Sequence, residues 1–382
     1  MRTALAAGVA MTAILREFAS VYSKALAKPV VHAGELLSVQ RLRGIAVLMV
    51  LLVHVEDIAR KLPGWADFHS AYALNIGYSA PDMFFVISGF IMTYITFTTP
   101  FKPRRWLISR FIRIFPMYIF FTSLVVALWL FNPAMTMGSG EHDWWSVTQS
   151  LLMLPQADLP ILFVGWTIEH ELVFYATVFL VARFLTYNWL TSVLLLMSVL
   201  AFAKWALREY AGVDFWDFHI LSLYVVQFAM GACIYRFWSS STYSGWLLPC
   251  GLGVVLVALA AVAADSGTIN REQPLRVLLF GGAYAMFLLA LLNREKRIRA
   301  AGGMPTARDG LVRAGDASYS IYLSHPFVLA CFGKLFPYLE LSQPLGWLVV
   351  LGAGLTTLLV GQITHVFIEK PIIEVGKRLS RG

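Results

Sequence analysis

The sequence predicts an all-α polytopic membrane protein with about ten transmembrane helices and both termini cytoplasmic. Three observations carry this. Hydrophobic residues make up 58% of the 382 residues and charged residues 14%, too little charge to cover a water-soluble surface of that size. The apolar residues form continuous runs such as LLMSVLAFA and LGVVLVALAAVAA, without the alternation of a barrel strand, so helices must meet the backbone's need for internal pairing in lipid. Basic residues gather in alternate loops, as they do on the cytoplasmic side of a membrane.

A span needs roughly 20 apolar residues. In chain order the candidates are 44–60, 76–98, 111–132, 161–183, 189–206, 219–237, 244–264, 274–292, 316–334 and 344–367. The first is interrupted toward its outer end by His54, Glu56 and Asp57. The connection after the second carries Lys102, Arg104, Arg105, Arg110 and Arg113. The connection after the eighth carries Arg294, Lys296, Arg297, Arg299, Arg308 and Arg313, and the tail carries Lys370, Lys377, Arg378 and Arg381. The intervening stretches are poor in basic residues: PAMTMGSGEHDWWSVTQS has none and ADSGTINREQ has one. An even number of spans puts every basic stretch, and both ends, on one side.

No internal repeat or low-complexity tract is visible. One membrane domain therefore covers 39–376, followed by a basic cytoplasmic tail, 377–382. It is preceded by an extension, 1–38, that opens MRTALAAGVAMTAIL. A basic start and an apolar stretch resemble a short signal peptide. Cleavage after translocation would leave Arg41 and Arg43 outside, against the charge pattern, so an amphipathic surface helix or an upstream mis-called start is expected instead.

The net charge of +8 sits in short clusters between spans, which argues against nucleic-acid binding. Cys233, Cys250 and Cys331 fall within apolar runs and read as small core residues, not a disulfide frame. No HExxH pattern or His/Cys cluster suggests a metal site. Glu169, His170 and Glu171 are consecutive and point to different helix faces.

An ionisable residue inside a span costs roughly 2.5–3.5 kcal/mol or more and is a functional candidate by default. His54, Asp82, Glu169, His170, Glu171 and His325 qualify; for each, a helix-to-helix hydrogen bond is the plain alternative. Arg43 and His54 are eleven residues apart. On a helix that is roughly 16 Å along the axis and about 20° around it. A cation at the inner surface can hold phosphate, and a histidine one long arm away can take a proton. The pantetheine arm of coenzyme A has about that reach. The plain alternative is that Arg43 anchors the helix at the headgroups.

RLRGIAVLMVLLVH, a basic residue and a histidine with ten residues between them, resembles the signature of acyltransferase family 3. Five further segments agree in order from about residue 40 to 375: PDMFFVISGFIM, RFIRIFPMY, GWTIEHELVFY, GDASYSIYLSHPF and FIEKPI. The nearest pattern within the family is that of the exopolysaccharide acetyltransferases, on the cues VGWTxxxE, QFAMG and RVLLFG. Two positions depart from the family pattern: Ala80 stands where a glycine is usual, and Gln227 where a glutamate is expected.

The resemblance implies that Arg43 and His54 are the essential pair and that Arg110 and Arg113 neutralise the phosphates of acyl-CoA. It implies that Asp82, Ser88 and Glu171 support the centre, with Trp166, Tyr175, Tyr319 and His325 in the matched segments as further supports. The expected reaction moves an acyl group, acetyl in this family branch, from cytosolic acyl-CoA to a hydroxyl of a glycan or lipid-linked saccharide. Acetyl-CoA is then a co-substrate, with no permanently bound cofactor, and a bacterial inner membrane is the expected setting. His54 is expected to act as general base, a role worth typically 10²- to 10⁴-fold. Glu171 or Asp82 is expected to orient it, Glu171 being at similar depth. Direct transfer and an acyl-histidine intermediate are both compatible with these residues. Tyr319, Ser88 and the amides near Gly89 are candidate oxyanion donors. Trp144 and Trp145 read as an interfacial belt, with sugar stacking as the alternative. The rival reading is a proton-coupled carrier or flippase, against which stands the lack of an inverted repeat and of paired Gly/Pro-broken spans.

Overall fold

The computed structural model describes residues 35–65, 72–132, 140, 142–240, 245, 247–264, 272–303 and 308–379. Most of the N-terminal extension and the last residues of the tail lie outside this set. Every regular element among the described residues is helical. In chain order the α-helices are α1 (Leu37–Ala59), α2 (Ala80–Thr98), α3 (Pro103–Phe131), α4 (Trp144–Leu152), α5 (Trp166–Phe184), α6 (Leu190–Ala211), α7 (Val225–Ser240), α8 (Leu247–Ala264), α9 (Pro274–Ala300), α10 (Gly310–Asp316), α11 (Ser318–Leu335), α12 (Gln343–Thr364) and α13 (Lys370–Leu379).

Each predicted segment coincides with a long helix; the short α4, α10 and α13 were not anticipated. Six stretches are long and apolar enough to cross a membrane: Ile76–Thr98, Pro103–Phe131, Phe163–Phe184, Tyr187–Ala211, Pro274–Ala300 and Gln343–Gly376. Their outward faces are apolar. On α6 Leu195, Leu196, Val199 and Leu200 are exposed, and on α12 Leu348, Leu351, Leu355 and Leu359 are, which suits lipid and not water. Cys250 and Cys331 are also exposed and Cys233 is partly so; the expected core role does not hold for the first two.

Two other expectations change in detail. The basic residues from Arg294 to Arg299 lie on the last turns of α9, not in a loop. The sixth segment becomes helical only at Val225. The chain before it is held by polar contacts: Asp217 accepts from the Leu221 amide at 2.8 Å and pairs with Lys204 at 2.8 Å. Glu272 accepts from Ser222 Oγ at 2.8 Å and from the Leu223 amide. Satisfying these groups outside a helix offsets the loss of two turns.

The N-terminal end of α1 is fixed from two sides. The Glu295 carboxylate accepts from the amides of Leu37 and Ser38, at 3.3 and 2.8 Å, in place of a local cap. α10 crosses α1 at backbone contact. A Cβ on Gly44 would lie 2.1 Å from the Leu311 carbonyl oxygen, and one on Gly315 would lie 1.9 Å from that of Gln40. Only glycine permits this approach, a device common where helices pack without a hydrophobic drive.

Candidate active site

α1 runs without a break from Leu37 to Ala59, so Arg43 and His54 share a face roughly 16 Å apart. α11 lies along that face. Arg43 Nη2 donates to Ser318 Oγ at 2.9 Å, and the His54 ring stacks on His325 with centroids 5.0 Å apart. Ser318, Tyr322 and His325 are spaced four and three residues apart, which sets them on one side of α11. The two helices thus hold a paired stripe, cation at one end and imidazoles at the other.

Beside the cation end is a cavity of about 460 Å³. Arg43, Arg110, Arg113, Ser88, Glu171, Tyr175, Tyr319 and Tyr322 all line it, with apolar walls from Phe84, Phe85, Ile87 and Ile168. Residues distant in sequence therefore meet at one surface. Glu171 Oε1 accepts from Ser88 Oγ at 2.8 Å and from the Tyr175 hydroxyl at 2.7 Å. The Arg110 guanidinium lies 5.9 Å from the Tyr175 ring centre, a cation–π contact. Arg113 Nη1 is 3.6 Å from Glu369 Oε1. Three guanidinium groups facing two carboxylates leave a cationic surplus in a part of the protein where charge is weakly screened.

Glu369 was missed as a site residue, although it belongs to the matched segment FIEKPI. It is 1% exposed and lies in a π-helical turn, His365–Glu369. Ser320 Oγ and His365 Nδ1 each donate to its Oε2 at 2.7 Å. A buried carboxylate needs such partners. The available signal was an acid set in an apolar run with a basic cluster still lacking counter-charges.

The expected orienters do not stand beside His54. Glu171 is committed to Ser88 and Tyr175 on the cavity wall. Asp82 is fully buried in the first turn of α2, facing α7 and α9. There it accepts from Arg276 Nη2 at 2.8 Å and from Gln227 Nε2. A buried aspartate requires a cation close by, and α9 supplies it where α1 does not. The carboxylate beside His54 is Asp57, with Oδ2 3.5 Å from Nδ1. Asp57 is itself approached by the Tyr78 hydroxyl at 3.4 Å and Arg60 Nη1 at 3.5 Å. His54 also meets Phe163 edge to face, at 5.8 Å.

The remaining candidates separate clearly. His325 Nδ1 donates to the Tyr322 carbonyl oxygen at 2.7 Å; its Nε2 is buried with no hydrogen-bond partner among the described residues. Tyr319 donates to the Ile114 carbonyl oxygen at 2.8 Å and Ser88 to Glu171, so neither hydroxyl proton is free for an oxyanion. Gly89 lies against the Phe228 backbone. Trp166 joins an aromatic group with Phe85, Tyr224 and His170 and does not line the cavity. Glu169 accepts from Gln156 and pairs with His219, which stacks on His170 at 4.1 Å; together they fasten two loops to α5. Trp144 and Trp145 are exposed, Trp144 meeting Trp129 edge to face.

A family model described as an acyltransferase domain matches residues 36–366. The exopolysaccharide production protein ExoZ of Rhizobium meliloti (strain 1021) is 30% identical over 344 residues, 82% of this chain and 97% of that protein. No solved structure matches the chain. With the family's span covering nearly every helix that builds the cavity, the chain belongs to acyltransferase family 3 and is an acyl-transferring membrane protein.

Proposed function

We propose that this protein is an O-acyltransferase that moves an acetyl group from cytosolic acetyl-CoA to a hydroxyl of a cell-surface polysaccharide or its lipid-linked precursor. The observation that carries the reading is the convergence of Arg43, Arg110 and Arg113 on one cavity, with His54 further along the helix that bears Arg43. The arginines suit the phosphates of coenzyme A, which are multiply charged and take forked donors. The pantetheine arm then runs along α1 toward the imidazoles. His54 removes the proton of the acceptor hydroxyl as its oxygen attacks the thioester carbonyl, and the thiolate leaves as coenzyme A. Asp57 fits the part of orienter, because a carboxylate at Nδ1 leaves Nε2 as the base. The name of the Rhizobium relative supports an exopolysaccharide acceptor. Ten spans, cytoplasmic termini and a bacterial inner membrane complete the proposal, supported by the charge pattern of the loops.

The test is release of free thiol from acetyl-CoA by purified wild-type and His54→Ala protein, with and without a panel of polysaccharide fragments. Glycan-dependent release, reduced about 10²- to 10⁴-fold in the variant, is expected. Equal release by the two proteins would remove His54 from the centre. No release by the wild type with any acceptor would turn the reading toward a carrier.

A further inference from the structure

His54 is not on the surface of the cavity, although its helix partner Arg43 is. Tyr322 touches both the cavity and the ring that stacks on His54. It lines the cavity together with Phe84 and Thr167. Its ring packs edge to face on Phe84 at 6.4 Å, and on its other side its centroid is 5.8 Å from that of His325, the residue stacked on His54. The phenol is latched to the start of α5: it donates to the Val164 carbonyl oxygen at 3.0 Å and lies 2.9 Å from Thr167 Oγ1. The turn just before that helix carries Phe163, the other ring on His54. Tyr322 and its latch thus link the space that the arginines line to the imidazole pair.

Resting on the acyl-transfer reading above, we propose that Tyr322 is the specificity-determining residue for the acyl group: the thioester reaches His54 past its phenol, and the phenol admits short acyl chains and rejects long ones. The physical argument is one of volume and chemistry. The wall is a side chain, so it yields by rotation about two torsions without moving α11. What rotation frees is the volume of the ring itself, beside Phe84, His325 and the start of α5. A two-carbon acyl group fits there beside the displaced phenol. A long chain would need more room than the ring leaves and would overlap it, whether or not the hydroxyl is present. Pockets that discriminate by bulk in this way act through steric exclusion.

The experiment compares kcat/KM for acetyl-CoA and octanoyl-CoA, by thiol release in the presence of the glycan panel, in the full-length wild type, Tyr322→Ala and Tyr322→Phe. The ratio of the two constants does not depend on the fraction of active protein. Tyr322→Ala is expected to raise the octanoyl-to-acetyl ratio by about tenfold or more, while Tyr322→Phe, which keeps the ring, stays within about twofold of wild type. Tyr322→Leu replaces the alanine variant if that protein does not fold, with the same shift expected. An unchanged ratio in the alanine or leucine variant, with the wild type active, would overturn the role of Tyr322 and leave the acyl-transfer reading standing. A shift in Tyr322→Phe equal to that in Tyr322→Ala would overturn it too, because ring bulk would not be what counts. Wild-type protein that consumes neither thioester would overturn both.

Discussion

The rings of His54 and His325 lie face to face, centroids 5.0 Å apart and planes 25° from parallel. Because a carbonyl oxygen only accepts, the 2.7 Å contact with Tyr322 assigns the proton of neutral His325 to Nδ1 and leaves Nε2 bare beside the proposed base. Replacing His325 with phenylalanine keeps a flat ring against His54 and removes that lone pair. The expected outcome is a fall in kcat of about tenfold with little change in KM for acetyl-CoA. Steady-state kinetics check it; a change in KM alone would make His325 a packing residue of the donor route.

Arg113 is held by Glu369, and Glu369 by Ser320 and His365. Glu369→Gln keeps the shape and removes the charge that positions the guanidinium. KM for acetyl-CoA should rise about tenfold, equivalent to about 1.4 kcal/mol of binding, with a smaller effect on kcat. Titration of KM against ionic strength adds a second readout, since contacts between phosphates and arginines weaken with salt.

Asp82 and Arg276 form a pair almost wholly removed from solvent, 0% and 4% exposed by side chain. Asp82→Ala strands the guanidinium and is expected to destabilise the protein by about 3–5 kcal/mol. Thermal unfolding in detergent measures this. The folded fraction should keep its kcat, because the pair faces α7 and α9 and not His54. Asp82→Ala combined with Arg276→Met should recover much of the loss, which a direct catalytic role of Asp82 would not allow.

Asp309 lies outside the spans, at the start of α10. Arg41, at 2.8 Å, and the Val312 amide, at 2.9 Å, hold its carboxylate below the usual range. The folded value is therefore lower than the unfolded one. The stabilisation is present above the unfolded value and is lost as pH falls through the folded one. Asp309→Asn should lower the unfolding temperature at pH 7 and flatten its decline below about pH 4. Parallel acid-limb slopes in variant and wild type would show that other carboxylates govern the decline.

Much of this was legible in the sequence because the signals were local. Apolar runs of the right length located the long helices, and the interval between Arg43 and His54 held because α1 is one continuous helix. Two of the arginines that line the cavity, Arg110 and Arg113, were visible in RFIRIFPMY. What was not legible depends on which helix lies beside which. Asp82 and Arg276 are 194 positions apart, and no periodicity links them. Glu171 was expected at His54 because depth along a helix can be read from sequence, whereas the direction it faces across the bundle is set by packing. The loop before α7 escaped for a related reason: Asp217 and Glu272 offer its amides partners that a hydropathy count does not see.

The clamp at the start of α1 has a further consequence. Glu295 caps its first turn and α10 meets its backbone at Gly44, so this helix can neither slide nor unwind there. The interval from Arg43 to His54 is then a measuring rod made of backbone hydrogen bonds, and its graduations are residues. Substitutions along it, Gly44 apart, leave that interval unchanged. Inserting one residue would turn His54 by about 100° and advance it by about 1.5 Å. Gly44 apart, the residues between Arg43 and His54 are free to change, whereas their number is not.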